Sequence, residues 1–219
     1  MGTGTHSTST KTFLTVAYGK LRQRQLENGQ KVNENTPNAV KRESKTGESW
    51  ALEYDYIEGR IDKMYFKEDK QFGNSYEIII SDAIDLYQIS FREGDRTTAD
   101  FLCKLPNINL KNVIKITVYD FTNKEGKTVK GTSIIQNNEK ILSFYNVKVE
   151  DTWKNLHGYP SSQNVDFKDS DELKIYQISV NKFLRNEFIS KFTITQKEAE
   201  EKETAPENVA PEEDTDLPF

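Results

Sequence analysis

The run at residues 113–121, Val-Ile-Lys-Ile-Thr-Val-Tyr-Asp-Phe, holds the residues best suited to chemistry. If it is extended, Ile114, Ile116 and Val118 share one side, and Lys115, Thr117, Tyr119 and Phe121 share the other. Two rings and an ammonium on the open side of a strand are what is needed to stack planar bases and follow phosphates, with no base-specific geometry. A second alternating run, 85–92, turns Tyr87, Ile89 and Phe91 inward and leaves Gln88, Ser90 and Arg92 outward. Two turns add cations. Lys67, Lys70 and Phe72 lie in the turn at 67–72, and Lys124, Lys127 and Lys130 lie in or beside the turn at 123–127. Arg22, Arg24, Lys41 and Arg42 are further candidates, as a flexible clamp. Trp50 fits either a stacking platform or the core. The same alternative applies to Tyr119 and Phe121, which burial under an added helix or the N-terminal segment would remove from solvent.

Enzymatic chemistry finds little support in the remaining residues. No Gly-rich phosphate loop followed by Lys-Ser/Thr is present, and no nucleophile elbow. The histidines, His6 and His157, stand without a recognisable catalytic partner. With one cysteine, Cys103, they cannot complete a closed zinc site or a disulfide. Asp82, Asp85 and Asp95 fit turns better than a metal-binding carboxylate cluster. A non-enzyme without cofactor or metal is expected, with Cys103 as a small buried hydrophobe.

The elements that must position these residues are mostly strands. Residues 50–66 alternate at first, with Trp50, Leu52, Tyr54 and Tyr56 in one set, and change phase near Gly59, which predicts one long strand bent at the glycine. Residues 75–81 and 85–92 complete a three-stranded meander. Thr97-Thr98 could cap a short helix at 99–105, stopped by Pro106, with Phe101, Leu102 and Leu105 as its apolar side. Strands at 113–121 and 128–136 follow, joined by the Gly-containing turn 123–127. A continuation at 140–147 lies beyond Asn137-Asn138. Three strands, a helix and a closing hairpin is the element order of the OB-fold, a five-stranded Greek-key barrel that holds oligonucleotides. Residues 149–167 are expected as an ordered surface loop. Residues 171–192 place Leu173, Tyr176, Val180, Leu184 and Phe188 at helical spacing with Ser170 as N-cap, although Ile175, Ile178 and Val180 would also suit a strand over 173–180.

Charge divides the 219-residue chain. From Thr195 onward nine acids face two lysines, so the tail carries −7 of a formal −5 and the body is left at +2. Within the body, residues 11–45 have eight basic residues against three acids. A basic body tethered to an acidic tail can bind a polyanion and be inhibited by its own tail. The tail ends in Asp214-Thr215-Asp216-Leu217-Pro218-Phe219, an apolar plug with a carboxylate, flanked by acids that would steer it to a basic pocket. Except at Thr215, this tip resembles the Asp-Asp-Asp-Leu-Pro-Phe terminus of bacterial single-stranded DNA-binding proteins. The resemblance implies recruitment of replication, recombination and repair enzymes through Asp214, Asp216, Leu217, Pro218 and Phe219, and DNA coating by the body.

In overall plan the chain is similar to phage-encoded versions, with an enlarged OB-fold followed directly by an acidic tail. The expected organisation is mainly β. Residues 1–48 form a flexible N-terminal strand and basic loop, with 19–48 long and mobile; 49–194 form an OB-fold core with a C-terminal helix; 195–219 form a disordered acidic tail with a docking tip. No stretch of about 18 to 20 apolar residues would span a membrane, which implies a cytosolic protein, in a bacterial cell or its phage-infected form, open to homo-oligomerisation. An RNA-binding OB module, or a structural protein with an acidic tail, would satisfy much of the same pattern.

Overall fold

The computed structural model describes residues 11–44, 47–149 and 152–192. In chain order they form β1 (Lys11–Ala17), β2 (Lys20–Gln23), β3 (Val40–Ser44), β4 (Gly47–Tyr54), β5 (Tyr56–Lys67), β6 (Ser75–Ser81), β7 (Leu86–Arg92) and α1 (Arg96–Lys104). A 3-10 turn at Leu105–Asn107 leads to β8 (Ile114–Thr122), β9 (Thr128–Gln136), β10 (Glu139–Lys140), β11 (Asn146–Val149), β12 (Thr152–Asn155) and α2 (Ser170–Phe192). The fold is mainly β. Ten strands make one sheet in the order β10-β9-β8-β5-β6-β7-β1-β2-β4-β3, and β11 with β12 makes a separate hairpin. Where five strands in a closed barrel were expected, the ladder among the described residues is larger and open.

The meander β5-β6-β7 is antiparallel throughout, and β8 pairs back onto β5. The expected single strand at 50–66 is instead two strands separated at Asp55, because β4 pairs with β2 and β3 while β5 pairs with β8 and β6. Gly59 marks the exchange of partners: Tyr56 to Gly59 lie against β8, and Arg60 to Lys67 against β6. A Cβ at Gly59 would come within 2.4 Å of the Ser81 carbonyl oxygen, so no larger residue fits this crossing without a shift. The phase change lies slightly further on, at a register shift between Ile61 and Lys63. That extra residue moves the inward set from Ile57 and Ile61 to Met64 and Phe66, all buried.

Residues 19–48 are not one long loop. They contain β2 and β3, with turns at the two sites the sequence marks: Gly29 has φ 81° after Asn28, and Asn38 has φ 61° after Pro37. β1 lies parallel to β7, so the N-terminal strand extends the meander. Tyr18 and Gly19, at φ 55° and 67°, form the two-residue turn into β2. A Cβ on Gly19 would meet the Asp120 backbone nitrogen at 2.5 Å, so the tip of this hairpin is pressed against β8.

The core lies between the sheet and the two helices. In α1, Phe101 stacks on Phe91 of β7, with centroids 4.5 Å apart and planes at 13°. The helix starts earlier than expected, with Asp95 at the N-cap. Thr97 and Thr98 are buried inside it, and the Thr98 hydroxyl donates to the Arg92 carbonyl at 2.7 Å. Residues 173–180 are helical and not strand, because Val180, Leu184 and Phe188 form one buried stripe while Ile175 and Ile178 stay exposed. Its cap is Asp169 in place of Ser170, with the Asp169 carboxylate accepting from the Asp171 and Glu172 amides at 2.8 and 3.2 Å. Arg185 fastens the helix by a two-point bridge to Glu93, 2.7 Å at each contact, with its guanidinium 5.1 Å from the centre of the Phe66 ring. Cys103 is buried, and desolvation pushes its thiol up to about 12.

Candidate nucleic-acid interface

Register places a compact group on the side of β5, β8 and β9 away from Ile57, Ile116 and Ile134. Along β8, Lys115 lies opposite Glu58 and Ile135, Thr117 opposite Tyr56 and Ser133, Tyr119 opposite Gly131, and Phe121 opposite Val129. Residues directly opposite in a ladder share a face, so Tyr56, Lys115, Tyr119 and Phe121 belong together. Tyr119 and Phe121 have centroids 5.9 Å apart with planes at 47°, and the Lys115 ammonium sits 3.7 Å from the centre of the Tyr56 ring. Phe121 is 53% exposed and Tyr56 50%, whereas Tyr119 is half-buried. Ile114, Ile116 and Val118 are buried, as the alternation predicts.

Tyr119 owes its position to a gap. Its hydroxyl lies 2.5 Å from where a Gly131 Cβ would be, and the Asp100 carboxylate lies 2.9 Å from the same point. Burial first, and then Asp100, raise the Tyr119 phenol above its ordinary value, so it remains a neutral stacking surface and hydrogen-bond donor. Asp100 is itself held by Lys104 and by the Thr132 amide, each at 2.6 Å, which ties α1 to β9 beside the ring.

The hairpin after β8 supplies fewer free cations than the sequence suggests. Lys127 is 3.1 Å from Glu125, and Lys130 is 2.8 Å from Asp120. Lys124 is exposed and makes no ion pair among the described residues. At the far end of β5, Asp69 accepts from the Gln71 and Phe72 amides at 2.9 Å, shaping a loop that exposes Lys70 and leaves Phe72 70% exposed. Lys67 is 4.0 Å from Asp69, and exposed Arg92 flanks Gly73. Eleven residue steps at ~3.3 Å put this loop up to about 36 Å from Tyr56 along the strand, so it is not part of the ring platform.

Several expected contacts are occupied internally. Arg22 is fully buried and is not a flexible clamp: its Nε is 3.0 Å from Glu53, whose carboxylate is held at two points by Arg42, at 3.0 and 2.8 Å. The Tyr18 ring covers both guanidiniums, with centroid distances of 5.2 and 5.6 Å. Hydrogen bonding by Arg42 is the first cause holding the Glu53 carboxyl below its usual range, with Arg22 adding to it, while desolvation acts in the opposite sense. Lys41 pairs with Glu48 at 2.6 Å, and Arg24 is exposed. Gln88, expected to face a ligand, donates to Tyr65 at 3.0 Å and to buried Glu77 at 2.9 Å. The Ser75 and Ser90 hydroxyls complete that carboxylate's shell at 2.7 and 2.8 Å. Trp50 is half-buried on β4 opposite Lys41, on a strand that pairs with β2 and β3 and not with β8.

Alternation alone groups Tyr56 with Trp50, Leu52 and Tyr54, and its place on the platform emerges only from the break at Asp55. The buried Ile57 and Ile61 were the available signal, since they put Tyr56 on the opposite side. Trp153, within the expected surface loop, is instead on the hairpin β11–β12 and is 65% exposed. Among the described residues no group of three or more His, Cys, Asp and Glu could hold a metal ion, and no helix is long and apolar enough to cross a membrane. Asp214, Asp216, Leu217, Pro218 and Phe219 lie outside the described residues. Compared with protein-family models, curated proteins and solved structures, the chain gives no match.

Proposed function

We propose that this chain is a non-catalytic protein that coats single-stranded DNA with little sequence preference, in replication, recombination and repair. The observation that carries this reading is the ring pair Tyr119–Phe121 beside Lys115 and Tyr56 on an open sheet face. Such a surface offers stacking to any base, with cations for the backbone. The pairing of β5, β6, β7, α1, β8 and β9, with β8 returning to β5, supports an OB-fold core enlarged by β1–β4. On that reading β1 occupies the edge of β7 that would otherwise close the barrel. The Asp-Thr-Asp-Leu-Pro-Phe motif is proposed to recruit partner enzymes, by its resemblance to bacterial and phage single-stranded DNA-binding proteins.

The test is a titration of the full chain with single-stranded DNA, duplex DNA and RNA of equal length across a range of salt. Tightest binding to single-stranded DNA, weakening with salt, is expected. Equal or tighter binding to duplex DNA counts against the proposal, and equal affinity for RNA makes the chain a general single-strand binder.

A further inference from the structure

The ring platform borders a second surface. Asp100, which approaches the Tyr119 hydroxyl across the missing Gly131 side chain, also lines a groove with Lys104, Lys140, Leu142, Lys148 and Trp153. The groove runs between the C-terminal turn of α1, the segment after β10 and the hairpin β11–β12. Its chemistry is that of the platform repeated. Trp153 is 65% exposed and lies opposite Lys148 in the hairpin, so ring and ammonium share a face. Leu142 is 66% exposed, and Lys140 is exposed with no ion pair among the described residues. Among the described residues the lining holds one acid, Asp100, and it is already taken by Lys104 and Thr132, so it leaves Lys140 open to a phosphate. An exposed indole on a small hairpin, with the exposed Lys140 in the same groove and Asp100 linking that groove to Tyr119, is matched to a strand of stacked bases and not to an apolar protein partner.

We propose that single-stranded nucleic acid leaving Tyr119 continues over Gly131 into this groove, stacks a base on Trp153 and sets a phosphate by Lys140. This rests on the single-strand binding reading, and it assigns a second stacking point on a hairpin outside the core meander and β8–β9.

The chain has two tryptophans, Trp50 and Trp153, which permits a direct test. In the Trp50→Phe variant Trp153 is the sole indole, and its emission is expected to fall as single-stranded DNA saturates the protein. Trp153→Ala is expected to weaken binding of a long oligonucleotide by about 5- to 150-fold, the range for one stacked base, with little change for an oligonucleotide short enough to cover one platform. Lys140→Ala should lower the slope of log K against log salt by about 0.7. If Trp50→Phe binds DNA with unchanged emission and Trp153→Ala binds long DNA as the parent does, the groove is not on the track while the single-strand reading stands. If the parent protein itself binds no single-stranded DNA, both fall together.

Discussion

Replacing Phe121 by Ala separates binding from folding, because the ring is 53% exposed and lies beside Tyr119. A fully buried aromatic side chain covers about 200 Å². The covered half, at about 25 cal/mol per Å², limits the stability loss to about 2.5 kcal/mol, and the unfolded chain's own burial reduces it to about 1 to 2. For a domain of this size that lowers Tm by roughly 2 to 8 °C. If a base stacks on the ring, its removal should weaken single-stranded DNA binding by about 1 to 3 kcal/mol, or 5- to 150-fold in Kd. Fluorescence anisotropy with a labelled oligo-dT, read beside a thermal melt, measures both. Tyr119→Ala should have a similar binding cost, and the double variant should lose less than the sum because the rings touch the same ligand. A Kd within twofold of the parent refutes the argument. A Tm loss well beyond 10 °C with binding retained per folded molecule would make the ring a packing element.

Glu53→Gln removes the one carboxylate shared by buried Arg22 and Arg42. Breaking a buried pair from one side costs about 3 to 5 kcal/mol, so a Tm drop on the order of 10 °C is expected, and a drop under 2 °C would show that the guanidiniums are otherwise satisfied. Glu53 and Glu187 both have carboxyls held below their usual range, Glu53 first by Arg42 and Glu187 first by Lys191. A depressed folded pKa gives stability that is complete above the unfolded value, about 4.3, and lost as pH falls through the folded one. Melts from pH 6 to pH 3 should therefore decline below about pH 4.3, less steeply in Glu53→Gln. Deleting residues 195–219 removes −7 and should tighten DNA binding, most at low salt where screening is weak. Removing Phe219 alone should leave DNA affinity unchanged and abolish capture of a replication or repair enzyme, and identical partner profiles would refute the docking role.

The parts of this fold legible in the sequence are those whose cause is local. Alternation over 113–121, the Asn123–Lys127 turn, the buried β6 and the helical stripe Val180-Leu184-Phe188 each follow from residues near one another. The N-terminal half follows a different rule. β2 is Lys-Leu-Arg-Gln, with Leu21, Arg22 and Gln23 all buried, and Arg22 can be there only because Glu53 lies opposite it on β4. On β4 the covered set is exchanged for the less apolar one: Ala51 and Glu53 are covered, while Trp50 and Leu52 are half-buried and Tyr54 is exposed. No period in the sequence announces a buried charge whose partner is 31 residues away.

That exchange changes which charges can serve a polyanion. The basic excess over residues 11–45 looks like a clamp, yet Lys20 is paired with Asp55, Arg22 and Arg42 with Glu53, and Lys41 with Glu48. Only the Arg22–Glu53 contact is buried, and opening it to bind phosphate would set ligand affinity against the pairing of β2 with β4, whereas the Lys20 and Lys41 pairs are exposed and cost little to open. Arg24 and Lys31 stay exposed in that segment without an ion pair among the described residues, and near the candidate surfaces the cations open to a ligand are Lys115 over Tyr56, Lys124 at the hairpin tip, Lys70 and Arg92 by the β5–β6 loop, and Lys140 in the groove. A strand confined to the ring face and the groove meets few of these cations, so on that track the phosphate contacts are few, the salt dependence is shallow and aromatic stacking carries a large share of the affinity.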